Sequence, residues 1–333
     1  MRRLRIHWML IALGVCAGHG YAAASDEERV LGQVFTVEPW RYLSKFDAAR
    51  KTLFLYRQGT ERTNPMVRSY TSDGTPKVDY YPLRDFSEAA SIDVWDLAAT
   101  PDDGLLLAAV LHLKEGVAHR FLWYDSQGRL KRTWNMYPYH HHRLAVDPSG
   151  NVYALGHRMD AGQRAEHAVL VKYSQDGEVL AGLLSSSVFA AGDAVGAFSD
   201  TLLLLPNDKL VLFVGETNEL FWFDVTQGRI SRRVSLAGEL DRWTAQLKAT
   251  RPKVFGVAAD DDGLVAQIAV DRREPALKRR GVMVRVANDG SFSPYSGTRG
   301  PLAEAPGPFL GVDRDSSLIF LLPRPEGPVL VRH

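Results

Sequence analysis

Cysteine is almost absent from this chain of 333 residues: the only one is Cys16. It lies in an N-terminal stretch that is expected to be removed. The remaining chain then has no disulfide and no thiolate metal site, and its stability must come from burial and strand pairing. Charge of one sign is also lacking, with 40 Lys and Arg against 39 Asp and Glu and a formal net charge of +1. Such a balance gives no electrostatic footprint for nucleic acid. No stretch approaches the roughly 18 uninterrupted apolar residues of a membrane helix, so no transmembrane segment is expected. The sequence contains no G-x-S-x-G, no phosphate-binding glycine loop, no H-E-x-x-H and no cysteine nucleophile outside the leader. These absences remove the commonest hydrolase, nucleotide-binding and metalloprotease readings.

The first residues carry Arg2, Arg3 and Arg5, then an apolar core from Met9 to Ala17, then Ala22-Ala23-Ala24 before Ser25. A charged start, a short apolar core and a small-residue site describe a signal peptide over residues 1–24, cleaved after Ala24. The mature protein is then secreted or periplasmic, and losing three arginines moves its formal charge to −2. Lipid attachment at Cys16 is disfavoured, because Val15 is poorly placed in Leu13-Gly14-Val15.

Residues 25–333 read as one all-β domain. The clearest unit runs from Arg143 to Leu180, where apolar runs of strand length are separated by Pro148-Ser149-Gly150-Asn151 and Ser174-Gln175-Asp176-Gly177. Each unit has a recognisable third strand: Met66–Tyr70, Phe121–Tyr124, Val169–Tyr173, Leu220–Phe223, Val282–Val286 and Val329–His333. Five of these are followed by a glycine turn, at Gly74, Gly128, Gly177, Gly228 and Gly290. Glycine supplies the positive φ that such hairpins need. A four-stranded unit recurring about every 50 residues predicts a six-bladed β-propeller of antiparallel blades. The expected blades are 44–85, 93–136, 142–184, 199–236, 254–296 and 308–333. The sixth ends after its third strand, so the β-prone segment 30–38 is expected to pair there and close the ring. Residues Ala237 to Pro252 place Leu240, Trp243 and Leu247 at helical spacing, predicting a short helix with Trp243 as a packing anchor.

In LAVDPSGNVYALG and LVKYSQDGEVL the chain resembles six-bladed propellers of the NHL and senescence-marker-protein-30/gluconolactonase type. The resemblance spans nearly all of the mature chain and rests on structural repeats. It implies a propeller, and through the lactonases a metal held by one Glu and Asn or Asp side chains at the channel mouth. No Glu here matches that position residue by residue, so lactonase activity is not carried over.

Loops between second and third strands share a face with the blade-to-blade connections, which sorts the unusual residues. His112, His119, His140, His141, His142, His157 and His167 all fall near that face of blades 2 and 3. Neutral imidazole is a common nitrogen ligand for zinc, copper or nickel. His112, His119, His140, His142, His157 and His167 are therefore candidate ligands of a divalent metal. Three successive histidines cannot all point one way on a strand, and hairpin flanks tolerate polar residues. His140, His141, His142, Arg143, Trp95 and Asp200 are the expected ligand-binding set, and Asp93, Asp96 and Arg143 the candidate catalytic groups. The basic run Arg272, Arg273, Lys278, Arg279 and Arg280 reads as a solvated loop, and Asp102-Asp103 and Asp260-Asp261-Asp262 as turn formers. Two functions follow. The first is a monomeric binding or scaffold module taking a protein or small polar ligand on its His-rich face. The second is a metal-dependent hydrolase or lyase with a His/Asp site at the channel mouth.

Overall fold

A computed structural model describes residues 27–31, 42–59, 61–160, 166–189, 200–205, 209–247, 252–260, 263–270, 281–295, 309–313, 315–322 and 328–333. Its strands form six antiparallel sheets of four. Blade 1 comprises Tyr42–Asp47, Thr52–Arg57, Val67–Thr71 and Pro76–Tyr80, and blade 2 Ala89–Ala99, Leu105–Leu113, Gly116–Tyr124 and Leu130–Asn135. Blade 3 is Tyr139–Val146, Val152–Arg158, Ala168–Tyr173 and Val179–Ser185, and blade 4 Thr201–Leu204, Leu210–Val214, Glu219–Asp224 and Arg229–Ser235. Blade 5 is Pro252–Asp260, Gly263–Val270, Gly281–Ala287 and Phe292–Pro294, and blade 6 Phe309–Val312, Leu318–Leu322, Val329–Arg332 and Glu27–Val30. The first strand of each blade touches the first strand of the next, and that of blade 6 touches blade 1. The fold is a six-bladed β-propeller.

Burial follows from this stacking. Leu105–Leu111 and Leu210–Val214 are buried at every residue, because a second strand has a neighbouring blade on both faces. The outer strand Leu130–Asn135 alternates between half-buried and exposed, because the rim of a blade meets solvent. Six apolar clusters result, one in each cleft between blades. Leu107 and Tyr56 lie between blades 1 and 2, Leu144 and Phe121 between 2 and 3, and Leu31, Leu53 and Leu330 between 6 and 1. The five predicted turn glycines have φ from 62° to 87°. The helix Ala237–Leu247 packs Trp243 on Ile268, Val282 and Val284 of blade 5, as expected.

The N-terminal strand does close blade 6, but it is Glu27–Val30 rather than 30–38. Glu27 pairs with Arg332 and Val30 with Val329, Leu31 enters the core, and residues 32–41 lie outside the described residues. An outer strand needs backbone pairing more than an apolar face, so the charged pair Glu28 and Arg29 serves where the more β-prone segment was expected. The basic run 271–280 also lies outside the described residues.

Polar side chains join the inner strands. Lys45 Nζ of blade 1 donates to Asp96 Oδ2 of blade 2 at 3.1 Å and to the Leu144 carbonyl of blade 3 at 2.6 Å. Asp96 Oδ2 in turn accepts the Leu144 N–H at 2.6 Å. Arg143 donates through Nε to the Asp200 carbonyl of blade 4, and Asp200 Oδ1 accepts the Gly215 N–H at 3.0 Å. Gln267 Oε1 of blade 5 accepts the Phe309 N–H of blade 6 at 3.1 Å. The Asp313 carboxylate of blade 6 lies 3.8 Å from Lys51 of blade 1. Removing one partner of a buried ion pair typically costs about 3–5 kcal/mol, because the other charge stays buried. Asp96→Ala is therefore expected to lower stability by about 3 kcal/mol in urea unfolding, with Asp96→Asn between it and the parent protein. A loss below about 1 kcal/mol, the range of an exposed pair, would remove Asp96 from this role.

Candidate functional site at the mouth between blades 2 and 3

Tyr139–Val146 is the inner strand of blade 3, and it begins earlier than expected, so the three histidines are inside it. Its ladder to Val152–Arg158 pairs His140 with His157, His141 with Gly156 and Arg143 with Leu155. His142 is thus an extra residue in a β-bulge, which re-aims side chains at the end of the strand. The bulge depends on Gly156. A Cβ there would stand 2.0 Å from the His140 carbonyl oxygen and 2.7 Å from the His141 Cα. The inner strand of blade 2 has a bulge of the same kind, between Val94 and Asp96, and its extra residue is Trp95.

The two bulges bring rings together. His140 and His142 stack at 4.6 Å between centroids with an interplanar angle of 17°. His157 stacks on His140 at 5.4 Å and on His142 at 5.2 Å. His119, from the third strand of blade 2, meets His140 at 4.7 Å. Trp95 lies edge-on to His140 at 4.7 Å and to His142 at 5.1 Å. One polar contact joins the stack, His142 Nε2 to His157 Nδ1 at 3.1 Å. His119 Nδ1 and His140 Nε2 are buried with no hydrogen-bond partner among the described residues.

The expected residues thus separate into distinct roles. His119, His140, His142, His157 and Trp95 converge. His112 lies beside them and forms its own pair, Nε2 to Asp93 Oδ2 at 2.7 Å, while Asp93 Oδ1 accepts from Gln58 Nε2 at 2.7 Å. His167 is tied through its backbone, donating N–H to Ser186 Oγ at 3.2 Å and accepting the Ser186 N–H at 2.9 Å. His141 is a correction. It was expected on the ligand-facing set, yet it is wholly buried, stacked between Phe121 and Tyr139, with Nε2 2.7 Å from the Tyr173 hydroxyl. Strand alternation sends it to the opposite face from His140. Asp96, Arg143 and Asp200 are corrections of the same sort. Each is at least nine-tenths buried: Asp96 and Arg143 make bonds that join blades, while Asp200 accepts from Arg143 through its carbonyl and from the Gly215 N–H of its own blade through Oδ1. Among the described residues, no three His, Cys, Asp or Glu side chains are arranged to hold a metal ion. Gly156 is the residue that sequence reasoning missed. A lone glycine inside a strand pattern is the signal that marks it, since it indicates a bulge or close backbone approach.

The imidazoles are held neutral. Burial pushes His140 down to about 4, helped by His119 and His157, and pushes His142 down to about 3, helped by His140, His157 and Arg143. His141 falls to about 3 for the same first reason, and His119 and His157 are lowered in the same direction.

No protein-family model matches the sequence, and no curated protein matches it. Solved structures do match. A putative exported protein from Bacteroides fragilis is 6% identical over 92% of this chain and 94% of its own, with a TM-score of 0.51. The soluble aldose sugar dehydrogenase of Escherichia coli is 11% identical over 93% of this chain and 99% of its own, with a TM-score of 0.50. A streptogramin B lyase is 12% identical over 92% and 98%, with a TM-score of 0.49. The likeness is one of fold. The resemblance to the NHL and gluconolactonase families accordingly rests on the repeats alone.

Two outcomes follow from the site. The unfolded chain binds protons near the ordinary histidine value of 6.5, and the folded chain only at lower pH. Stability is therefore full above about pH 6.5 and falls as acid is added toward pH 4. The urea midpoint should drop between pH 7.5 and pH 5, and the double variant His140→Gln/His142→Gln should show a shallower drop. Equal slopes in both proteins would show that these rings are not the source. Separately, Gly156→Ala should displace the His140 backbone and weaken any ligand binding at the mouth, with partial loss of stability. Unchanged crystal positions for His140 and His142 in that variant would refute the account of the bulge.

Proposed function

We propose that the protein is an exported binding module that takes a small polar ligand, or a polar protein segment, at the mouth between blades 2 and 3. The observation that carries this reading is the ring cluster itself. Four neutral imidazoles and an indole stand together, and two of their ring nitrogens are buried without a partner among the described residues. Such groups recognise a ligand by stacking and by neutral hydrogen bonds. Of the candidate catalytic groups, the carboxylate of Asp96 and the guanidinium of Arg143 are taken up in joining blades. A signal peptide ending at Ala24 supports export.

A second reading, a metal-dependent hydrolase or lyase, is favoured by the His112–Asp93 pair at 2.7 Å, the geometry of a general base held by a carboxylate. The two readings separate experimentally. Thermal-shift measurement of the untagged protein against sugars, hydroxy acids and short peptides should give a stabilising ligand whose effect disappears in Trp95→Ala and His140→Ala. A shift that persists in both variants would place binding elsewhere. Turnover of simple lactones or esters that is lost in His112→Asn would favour the enzyme.

A further inference from the structure

We propose that His142 and His157 form a chelating pair for a borderline divalent transition-metal ion, copper(II) above the others, whose remaining positions stay open to water or to the bound molecule. The inference rests on the reading of this mouth as the binding site and adds the ion through which a ligand would be held.

The first support is a distance. His142 Nε2 and His157 Nδ1 are 3.1 Å apart. With metal–nitrogen bonds of about 2.0–2.1 Å, two ligands stand about 3.3 Å apart at a tetrahedral angle and about 2.9 Å apart at the right angle of a tetragonal copper site. The observed separation lies between these values, and because the two rings stack at an interplanar angle of 29°, they must turn about their side-chain torsions, with the strands in place, for both lone pairs to meet one ion. An N–H···N hydrogen bond of this length uses one lone pair of the two rings. A bound ion uses both.

The second support is the surroundings. His140 stacks on both rings, and its Nε2, like His119 Nδ1, is buried with no partner among the described residues. The polar groups here are therefore not a closed hydrogen-bond network, and a water or ligand atom on the ion would meet them. The carboxylate nearby is already occupied, since Asp93 is held by His112 and Gln58. A donor set of imidazole alone selects copper, zinc and nickel over calcium and magnesium, and copper(II) binds such a set most tightly. Both ligands sit on adjacent strands of one blade, His142 in the bulge and His157 opposite His140, which fixes their separation in advance of binding. No third ligand side chain is in place among the described residues. The protein thus supplies two nitrogens and leaves exchangeable positions, the arrangement of a site that binds a second molecule through its metal.

The test is titration of the untagged protein with copper(II) in a weakly competing glycine buffer at pH 7.5, read by calorimetry and by electron paramagnetic resonance. The expected result is one equivalent per chain, with hyperfine splitting from imidazole nitrogen. Affinity should fall at least tenfold in His142→Ala and in His157→Ala, each checked for folding by its urea midpoint, and stay unchanged in His167→Ala. Absence of stoichiometric copper, or an affinity unchanged from the parent protein in both alanine variants, would overturn the proposal. Loss confined to His119→Ala and His140→Ala would overturn the assignment of the pair. If copper fails while the thermal shift of a ligand still depends on Trp95, the chelate alone is refuted and the mouth binds without metal. If copper binds as expected but ligand shifts ignore Trp95, the binding-site reading falls while the chelate stands.

Discussion

A propeller blade cannot exist alone, and the rest of this structure depends on that constraint. Each four-stranded sheet has two apolar faces, and burying both requires a neighbour on either side. The solution is six interblade cores arranged in a closed circle, in which no cluster belongs to a single blade. Closure is demanding at the seam, where the last blade borrows Glu27–Val30 from the other end of the chain. Leu31 secures that strand by entering the core between blades 6 and 1, beside Leu53, Leu55 and Tyr70. The outermost position thus follows from pairing and one anchored leucine.

Apolar packing orders the blades but leaves the innermost strands to be registered against one another near the axis. Directional bonds do this. The Lys45–Asp96–Leu144 cluster spans three blades with a single buried carboxylate, and Arg143 extends the link to blade 4. On the opposite side of the ring a neutral bond from the Phe309 N–H to Gln267 Oε1 joins blades 5 and 6. The charge-assisted bonds of Lys45, Asp96 and Arg143 are stronger than neutral ones and fix orientation, which shape-tolerant leucine contacts do not.

The repeats were legible because each depends on local chemistry. A turn needing positive φ shows as glycine, and a strand buried on both faces shows as an unbroken apolar run, so blade number and turn positions could be read directly. The meeting of His119, His140, His142 and His157 is in keeping with strand order, which brings the segments that carry them to neighbouring strands. What each polar residue does was not legible. Asp96 and Arg143 have the composition of a site, yet they are consumed in joining blades, and Asp200 is held within blade 4; only the distances between strands reveal it. The bulges at Trp95 and His142 were equally hidden, because a bulge is a property of two paired strands. His141 could be placed by alternation only once the bulge was known to begin after it.

These two kinds of polar residue account for where the candidate site lies. At the bulge of blade 2, Trp95 is the extra residue and Asp96 the next; at that of blade 3, His142 is the extra residue and Arg143 the next. In both blades the residue after the bulge turns inward and bonds to another strand, while the bulged residue and its ring neighbours remain at the mouth. The bulge therefore divides adjacent residues between two tasks, with closure of the ring on one side and an available ring cluster on the other. The ring cluster thus lies one residue away from bonds that hold the scaffold, which ties its geometry to the registration of the inner strands. The strands that carry these histidines are registered by Asp96 and Arg143, and burial of the rings favours their neutral form.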